Sequence, residues 1–414
     1  MGYERITALG GSGENGRNCY LMETGEGTVL LDCGVKREGV GAQIGAYPAI
    51  TREIAARLDA VILSHAHEDH CAALPLLYAL GYTGAVYATA ETAAAAPRMM
   101  AKWMRYVASR GGATPFDATD AARVRFMPLA LGENAVAGLR VLAGRSGHTV
   151  GGVWTALSAG QKTLFYSGDM CLCSPLLAVD VPPRCDAAVL NCAYAGQVLD
   201  QRAQYAALLA RVRETLARGG KVLLPLPATG RGCDLLAFFA REVQNAPVYA
   251  EEAIVEGCRA ALASRVWLRE GAPRHIPAVH VVRTQAEREA ACAAKTGVYL
   301  TPDGMLTTET GLYYAKRFAR DPQNRVLITG HAAPGTPGAA LLAAGEQKDR
   351  MAAQRVTIKV HLDERDAQAL CETLGAKNVA LFHANAARCE TLLRTLRGHG
   401  VAARCLSPGE GMAL

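Results

Sequence analysis

The chain has 414 residues, of which half are apolar, 20% are charged and 6% are aromatic. This composition supplies enough apolar side chains for a sizeable core and excludes a chain that is disordered throughout. The net charge of +6 is compatible with a polyanionic partner but is ordinary for this length. Because the length exceeds what one core usually holds, we expect two domains, or one large fold with an insertion.

The thirteen cysteines are scattered along the chain without a repeated pair spacing, which argues against a disulfide framework. We interpret them as small core residues in a reducing compartment rather than as zinc thiolates. The N-terminus lacks the pattern of a signal peptide, and no segment reaches the roughly 18 apolar residues that a membrane span needs. The sequence therefore predicts a cytoplasmic protein that makes no contact with a membrane.

The predicted secondary structure begins with strands and turns into an alternating α/β pattern. Strands are predicted at 6–9, 19–23, 28–32 and 60–63, a helix-like stretch continues to Leu80, and further strands follow at 123–127, 139–143, 153–157 and 163–167. From 201, long helical segments alternate with short apolar strands, which are predicted at 221–226, 297–301 and 326–330. This alternation is typical of a parallel sheet. Beyond about 355 the pattern predicts a strand in VTIKV, a helix from 363, a strand at 378–382 and a last helix.

The strongest chemical signal is the string SHAHEDH at 64–70, directly after a predicted buried strand. An HxHxDH string arises by chance in roughly 2 chains per 10,000 of this composition. In a nearly extended loop, His65 and His67 point to the same side, where two neutral imidazoles can bind one cation. Asp69 and His70 enter the following helix and can face a second cation. Because a solvated polar loop would not explain three imidazoles so close together, we predict two adjacent metals.

Four side chains cannot complete the coordination of two metals, so further ligands are expected at the ends of later strands. His148, in GRSGHTVGG, follows a strand and is flanked by glycines that let the backbone approach a ligand. Asp169, in LFYSGD, follows a strand and a glycine turn and can bridge both metals. Asp32, at the end of TVLLD, is interpreted as a residue that holds the N–H of a ligand imidazole instead of a metal.

In order along the chain, these motifs resemble those of the metallo-β-lactamase fold hydrolases. The opening GGSGENGRNCY at 10–20 is similar to the start of bacterial RNase J-type enzymes. LPLPATGRGCDLLAF at 224–238 and YLTPDGML at 299–306 resemble the β-CASP insertion of members that cut nucleic acids, including the polyadenylation cleavage factors. The resemblance covers essentially the whole chain.

The resemblance implies an α/β protein in which an αββα sandwich is interrupted by an α/β β-CASP domain. The first part of the sandwich would comprise residues 1–197 and the returning part residues 355–414, with the β-CASP domain at 198–354. Two further β-CASP motifs match His361 in IKVHLDERD and His383 in VALFHAN.

The resemblance also implies a set of metal ligands and a substrate. Two zinc ions would be bound, one by His65, His67 and His148, the other by Asp69, His70 and His383, with Asp169 bridging them. The metals would activate a water for attack on a phosphorus, and His361 would protonate or stabilise the departing oxygen. In that family a histidine at the position of His383 accompanies RNA substrates, so single-stranded RNA is the expected partner.

The chain departs from the family pattern at Asn191 in NCAYAG, where an acidic residue of the catalytic site is expected. Asparagine can form a hydrogen bond with His361, but it carries no charge that would raise the basicity of that imidazole. This departure leaves the rate of the reaction, and the substrate, in question.

Two glycine-rich motifs allow alternative interpretations. GSGENG at 11–16 fits the dinucleotide fingerprint, but a hairpin rather than a helix is predicted after it, which excludes a nicotinamide site. In TGRG, Gly230, Arg231 and Gly232 open a predicted helix whose free N–H groups can hold a substrate phosphate. Ordinary helix capping explains the same residues equally well.

The sequence therefore predicts a two-zinc ribonuclease that hydrolyses phosphodiester bonds of single-stranded RNA. One alternative, motivated by Asn191, is a weakly active protein that holds RNA for a partner. Another is a metal-dependent hydrolase of a small ester or phosphoester, because a fold does not by itself fix the chemistry. The sequence is also compatible with a homo-oligomer.

Overall fold

The structure, a computed structural model, describes residues 4–39, 43–276, 278–345 and 349–414. The chain divides into two compact units. We call unit 1 the residues Met1–Leu172, Ala178–Val198 and His361–Leu414, and unit 2 the residues Cys173–Leu177 and Leu199–Val360. One unit is thus assembled from distant parts of the chain, and most of the other is a single long insertion.

Strands and helices are interspersed along the whole described part of the chain. The strands are β1 Arg5–Gly10, β2 Cys19–Glu23, β3 Thr28–Leu31, β4 Ala60–Ile62, β5 Val86–Ala88, β6 Phe126–Pro128, β7 Gly132–Val136, β8 Leu139–Arg145, β9 Val153–Ala159, β10 Lys162–Tyr166, β11 Ala187–Asn191, β12 Lys221–Pro225, β13 Val248–Glu251, β14 His280–Val282, β15 Gly297–Thr301, β16 Arg325–Ile328, β17 Ala352–Arg355, β18 Asn378–Phe382, β19 Ala402–Arg404 and β20 Gly411–Ala413. The helices are α1 Arg52–Arg57, α2 Glu68–Cys71, α3 Leu74–Ala79, α4 Ala90–Ser109, α5 Ala118–Ala122, α6 Gln201–Ala217, α7 Arg231–Glu242, α8 Glu252–Ala263, α9 Gln285–Ala293, α10 Glu309–Phe318, α11 Pro337–Ala344, α12 Glu364–Leu374 and α13 Ala386–Gly398. Among these helices, none has the length and apolar character needed to cross a membrane.

Unit 1 is built on two sheets, with strand orders β20-β1-β2-β3-β4-β5-β6 and β19-β18-β11-β10-β9-β8-β7 among the described residues. The sheets pack face to face: the ring of Tyr20 in β2 lies 6.0 Å from that of Tyr166 in β10 and 5.7 Å from that of Phe382 in β18. Helices α3 and α4 pack on the outside of the first sheet, for example through Trp103. Helices α12 and α13 cover the second sheet. The prediction of an αββα sandwich is confirmed.

Unit 2 contains a sheet whose order is β14-β13-β15-β12-β16-β17 among the described residues, with every pair parallel. Strand β15 is buried along its whole length, as its continuous apolar sequence GVYLT predicts for the interior of a parallel sheet. Tyr299 of β15 packs against Phe318 of α10, with ring centroids 4.8 Å apart. The predicted parallel α/β pattern of this segment is confirmed.

The predicted strand in VTIKV, residues 356–360, is wrong. The strand in this region is β17, which lies just before it and pairs with β16. The N–H groups of Val356 and Ile358 still donate to the carbonyls of Ile328 and Thr329, both at 3.0 Å, but the segment is not a regular strand. These bonds hold the segment to the end of β16, and unit 2 includes it as far as Val360.

The thirteen cysteines form no disulfide with one another. Cys173 and Cys405 are partly exposed and the others are buried. A buried cysteine outside a disulfide packs as a small apolar residue, so the interpretation as core material holds for the eleven buried cysteines and not for Cys173 and Cys405.

In unit 2, Asp234 is expected to make the stability of the protein depend on pH. Its side chain is buried, and burial raises its pKa to about 7, although the Ser174 hydroxyl and the charge of Arg231 act in the opposite direction. The folded protein therefore binds an extra proton between about pH 4 and pH 7, and the free energy of unfolding falls as the pH rises through this window. The loss is at most about 4 kcal/mol.

We expect that the free energy of unfolding of the variant Asp234→Asn does not fall in this way as the pH rises. Its urea midpoint should match that of the wild type near pH 4 and exceed it at pH 8, because only the wild type must bury a charge at the higher pH. Urea titrations at both pH values measure the difference. A difference in urea midpoint between the two proteins that is the same at both pH values would contradict the assignment of the pH dependence to Asp234.

Candidate metal centre

The predicted ligands lie where strands of unit 1 end. His65 and His67 follow β4, Asp169 follows β10, and His383 follows β18 directly. Strands β3 and β4 run parallel to each other, as do β10, β11 and β18, so their carboxyl ends lie at the same edge of each sheet. The sandwich therefore brings together side chains that are more than 300 positions apart in sequence, from His65 to His383.

The first cluster contains the side chains of His65, His67, His148 and Asp169, whose donor atoms all lie within 4.8 Å of one another. His148 Nε2 is 3.1 Å from His67 Nδ1 and 3.5 Å from Asp169 Oδ2, and His65 Nε2 is 3.6 Å from the same oxygen. Around a tetrahedral zinc with bonds of about 2.0 to 2.1 Å, neighbouring donor atoms are about 3.3 to 3.4 Å apart. The four side chains thus have the spacing of one metal coordination shell.

The second cluster contains Asp69, His70 and His383. Asp69 Oδ2 lies 3.0 Å from His383 Nε2 and 3.7 Å from His70 Nε2. Asp169 also borders this cluster, because its Oδ1 lies 3.3 Å from His70 Nε2 and its Oδ2 lies 3.7 Å from His383 Nε2. Asp169 is therefore placed between the two clusters, where a bridging carboxylate would have to be.

Several buried donor atoms of these clusters have lone pairs that the protein does not use. Among the described residues, His65 Nε2 and Asp169 Oδ2 are buried without a hydrogen-bond partner. A buried polar atom without a partner destabilises the folded protein unless it binds a ligand, and both of these atoms belong to the first cluster. Two divalent cations would satisfy them, and an O/N donor set of this kind suits zinc.

The protonation states of the imidazoles differ between the clusters: in the second, burial would lower the pKa of His70, but the neighbouring carboxylates raise it well above its usual range. Burial, and then repulsion from His148, lower the pKa of His67 to about 4, and burial lowers the pKa of His65 well below its usual range. Both rings are thus neutral near pH 7, as metal ligands must be. Burial alone would lower the pKa of His383, but Asp169 and Asp69 raise it to about 9, so a metal at this position would displace a proton.

Asp32 binds no cluster directly but orients two of the ligands. Its carboxylate accepts hydrogen bonds from His70 Nδ1 at 2.6 Å, the Tyr166 hydroxyl at 2.5 Å, and the backbone N–H and hydroxyl of Ser64, both at 2.7 Å. The Ser64 hydroxyl lies 3.0 Å from His65 Nδ1 and can accept its proton. With their Nδ1 atoms held in this way, both His65 and His70 direct Nε2 towards the clusters.

Two turns beside the donor clusters have an unusual backbone conformation. Asp32 and His383 both have positive φ angles, of 59° and 66°, which non-glycine residues seldom adopt. Each follows the last residue of a strand, β3 or β18, and turns the chain sharply at the edge of the sheet. Such conformations persist where the surrounding structure requires them, and here both occur at the metal centre.

Asn18 belongs to the site although its role was not predicted from the sequence. It lies within the opening motif GGSGENGRNCY and is fully buried, and its amide nitrogen is 2.8 Å from His70 Nε2 and 3.2 Å from Asp69 Oδ2. The roles of Ser64 and Tyr166 were not predicted either. They depend on pairing between distant strands, so only the position of Asn18 beside a glycine-rich turn gave a local signal.

Asn191 and His361 meet next to Asp169. Asn191 is fully buried and donates a hydrogen bond to Asp169 Oδ1 at 2.5 Å. The same amide nitrogen lies 3.4 Å from His361 Nδ1, and that Nδ1 is 3.5 Å from Asp169 Oδ2. Burial lowers the pKa of His361 well below its usual range. Asn191 therefore contacts a predicted metal ligand as well as the histidine with which it was expected to interact.

The three predicted phosphate-binding residues lie in unit 2, at the start of α7. Gly230 precedes the helix with a φ angle of 58°, and a side chain at Gly232 would overlap the Pro227 carbonyl oxygen. A side chain at Gly330 would overlap the Arg231 guanidinium. Gly230 is thus explained by its backbone conformation and Gly232 by its packing, and phosphate binding by Arg231 stays a prediction.

The metal content of the purified protein tests the assignment of the clusters. We expect about two zinc-like ions per chain, and the loss of at least one in the variant His67→Ala, because that variant would remove one of the four donors of the first cluster. Elemental analysis of protein never exposed to chelator gives the count. His280→Ala, which removes an exposed histidine of unit 2, is the matched control and should keep the wild-type content. Metal-free wild-type protein would overturn the assignment.

Comparisons with known proteins agree with this geometry. Residues 12–193 match the Metallo-beta-lactamase superfamily, and residues 236–341 match the Beta-Casp domain. A transcription termination factor, FttA of Methanothermobacter thermautotrophicus, is 30% identical over 365 residues, which are 81% of this chain and 57% of that protein. Integrator complex subunit 11 of Danio rerio is 26% identical over 426 residues, which are 94% of this chain and 70% of that protein.

The extent of these similarities differs between the relatives. The chain spans little more than half the length of the FttA protein that it matches. Among solved structures, a protein of unknown function from Enterococcus faecalis V583 has a TM-score of 0.62 and covers 100% of both chains, but at 12% sequence identity it shows the fold alone.

Proposed function

The chain belongs to the metallo-β-lactamase superfamily and carries a β-CASP domain, and we propose that it is a two-zinc ribonuclease that hydrolyses single-stranded RNA. The observation that carries the proposal is the pair of donor clusters joined by Asp169. A pair of metals a few ångströms apart is the arrangement used to hydrolyse phosphodiesters in many nucleases. We also propose that the protein acts in the cytoplasm.

The choice of RNA rests on two supports. His383 occupies the position at which the family resemblance associates histidine with RNA, and its Nε2 lies 3.0 Å from Asp69 Oδ2 in the second cluster. The name of one relative, a transcription termination factor, describes a protein that acts where RNA is made. Both supports favour RNA over DNA as the polymer that is cut.

In the proposed mechanism, the metals would lower the pKa of a water and neutralise the charge that develops on the phosphate. The residues around the clusters orient the imidazoles that would bind the metals. Asp32 holds the Nδ1 atoms of His70 and, through Ser64, of His65, so that their Nε2 lone pairs face the centre. His361, whose Nδ1 lies 3.5 Å from Asp169 Oδ2, would exchange a proton with the departing oxygen.

Because His361 has a low pKa and a neutral neighbour, the variant Asn191→Asp is expected to be faster than the wild type. A carboxylate 3.4 Å from His361 Nδ1 favours the protonated ring, so it should increase turnover near neutral pH by at least about threefold. The rate of RNA cleavage as a function of pH measures this, in metal-loaded protein, where the cations offset the repulsion between the new carboxylate and Asp169.

The same substitution in a His361→Ala background is the control and should bring no gain. A gain that persists without His361 would mean that the carboxylate acts on the metals. If Asn191→Asp changes nothing in either background, the alternative of a weakly active RNA-binding protein is favoured.

The proposed function is tested by incubating the metal-loaded protein with end-labelled single-stranded RNA and with DNA of the same sequence. We expect the RNA to be cut and the DNA to be a poor substrate, and binding to weaken steeply with salt because phosphate contacts release counterions. Faster cleavage of the DNA would show the inference from His383 to be wrong. Turnover of a small phosphodiester without cleavage of either strand would instead favour the small-substrate hydrolase.

A further inference from the structure

Unit 2 contains a large cavity, and none of the described residues that line it belongs to the metal centre. Its volume is about 1020 Å³, at the upper end of the range for small-molecule sites. Helix α6 lines it through Tyr205, helix α7 through Phe238 and Asp234, and the loop after Leu268 through Arg269. The cavity therefore lies entirely within the inserted unit.

The apolar part of the cavity is aromatic. The rings of Tyr205 and Phe238 are 4.8 Å apart at an angle of 69°, and both side chains are only half-buried. Phe238 also packs against the fully buried Phe239, with ring centroids 5.2 Å apart, which fixes its position. Partly exposed aromatic rings in the wall of a cavity are suited to stacking on a flat heterocyclic ring.

One acidic side chain lies in this apolar wall. Asp234 is 6% exposed, lines the cavity, and has the Ser174 hydroxyl at 3.3 and 3.5 Å from its two oxygens. The Leu176 backbone N–H also acts on this carboxylate. A carboxylate can accept about four hydrogen bonds, so these two donors leave part of its capacity unused. Two adjacent oxygens in an apolar cavity can receive two adjacent N–H donors of a ligand.

The rim of the cavity is positively charged. Arg202 on α6, Arg241 on α7 and Arg269 contribute three exposed guanidinium groups, of which that of Arg241 also pairs with Glu242 at 2.9 Å, and Glu270 contributes an exposed carboxylate. Arg269 is held in place by a 2.9 Å hydrogen bond from its Nη1 to the Ser174 carbonyl, next to Asp234. Guanidinium groups at the mouth of an otherwise apolar site favour a phosphate over a neutral ligand.

We propose that this cavity binds a guanosine 5′-phosphate group, with the base against Tyr205 and Phe238, its N1–H and 2-amino groups donating to Asp234, and the phosphate at the arginine rim. Guanine is the common base that presents two adjacent N–H donors on its pairing edge, whereas adenine and cytosine present a donor beside an acceptor. The group is supplied either by a free nucleotide or by a guanosine within RNA. The inference goes beyond the proposed ribonuclease and uses no residue of the metal centre.

Calorimetric titration of the metal-loaded full chain with 5′-GMP, 5′-IMP and 5′-AMP tests the site. None of these is a phosphodiester, so none is consumed by the proposed reaction. We expect GMP to bind at least about tenfold more tightly than IMP, which lacks the 2-amino group, and than AMP, because each leaves a carboxylate oxygen unpaired. Equal affinities for the three nucleotides, or no binding of GMP, would overturn the proposal.

Variants assign the binding to this cavity. Asp234→Asn should abolish the preference for GMP over IMP, while Asp321→Asn, which changes an exposed aspartate of unit 2, should keep it. Phe238→Ala provides a second variant and should weaken binding of all three nucleotides. Asp169→Ala, which disables the proposed metal centre, should bind GMP as the wild type does. Loss of GMP binding in Asp169→Ala but not in Asp234→Asn would place the nucleotide at the metals and refute the assignment.

Two short RNA strands distinguish the sources of the guanosine. A hexamer with one guanosine and the same hexamer with inosine in its place are used to compete with GMP on Asp169→Ala, which should not cut them. Stronger competition by the guanosine strand identifies an RNA base as the occupant. Equal, weak competition by both strands, with GMP still preferred over IMP, identifies the free nucleotide.

Discussion

Replacement of Asp169 by alanine is expected to reduce RNA cleavage by at least about a thousandfold, the largest effect on activity that we expect from a single substitution. Asp169 is the one carboxylate among the described residues that borders both donor clusters, with Oδ1 at 3.3 Å from His70 Nε2 and Oδ2 at 3.5 Å from His148 Nε2. If Asp169 bridges two metals as proposed, its removal takes a donor from each of them. Single-turnover cleavage assays and elemental analysis of the same sample measure both consequences.

The variant Asp169→Asn separates the charge of Asp169 from its packing, and a variant at another aspartate serves as its control. Asp169→Asn keeps the volume of the side chain and loses the charge, so we expect it to fold like the wild type and to be nearly as inactive as Asp169→Ala. Asp349→Asn, which changes an exposed aspartate of unit 2, is the matched control and should be fully active. If Asp169→Asn retained most of the activity, Asp169 would not be a bridging ligand.

The family and the fold were predictable from the sequence because short patterns encode them. The HxHxDH string follows a strand whose end is at the metal centre, and the buried strand GVYLT has the continuous apolar character of a parallel sheet. The match of residues 12–193 and 236–341 to the two family descriptions confirms the resemblance. These features are local, so neighbouring residues suffice to reveal them.

Features that depend on distant pairing were not predictable in the same way. Tyr166 is a hydrophobic residue in a strand pattern, and only the packing of β10 against the other sheet brings its hydroxyl to Asp32. The segment VTIKV has the composition of a strand, yet the ladder of β16 is occupied by β17, which no local signal in VTIKV reveals. Asn191 was noticed as a departure, but its hydrogen bond to Asp169 required the structure.

The second large effect is expected for Asp32→Ala, which should lower the free energy of unfolding by about 3 kcal/mol or more. Asp32 is fully buried, and its loss leaves four donors without an acceptor: His70 Nδ1, the Tyr166 hydroxyl, and the N–H and hydroxyl of Ser64. Its backbone is also in the left-handed region, with φ of 59°, which alanine tolerates less well than aspartate. Urea unfolding of the metal-free protein measures the stability without any contribution of bound metal.

Comparison of two further variants, Tyr166→Phe and Asp32→Asn, tests whether Asp32 acts on the metal centre through His70 and not only on stability. Tyr166→Phe removes one of the four donors and should cost only about 1 kcal/mol, with metal content unchanged, because a phenyl ring leaves the other three bonds intact. Asp32→Asn tolerates the left-handed conformation, but its amide cannot accept every hydrogen bond that the carboxylate accepts, so His70 Nδ1 competes for a single oxygen. We therefore expect Asp32→Asn to fold, to bind the second metal at least about tenfold more weakly than Tyr166→Phe, and to lose activity accordingly. Equal metal affinity in these two variants would mean that Asp32 stabilises the fold without orienting His70.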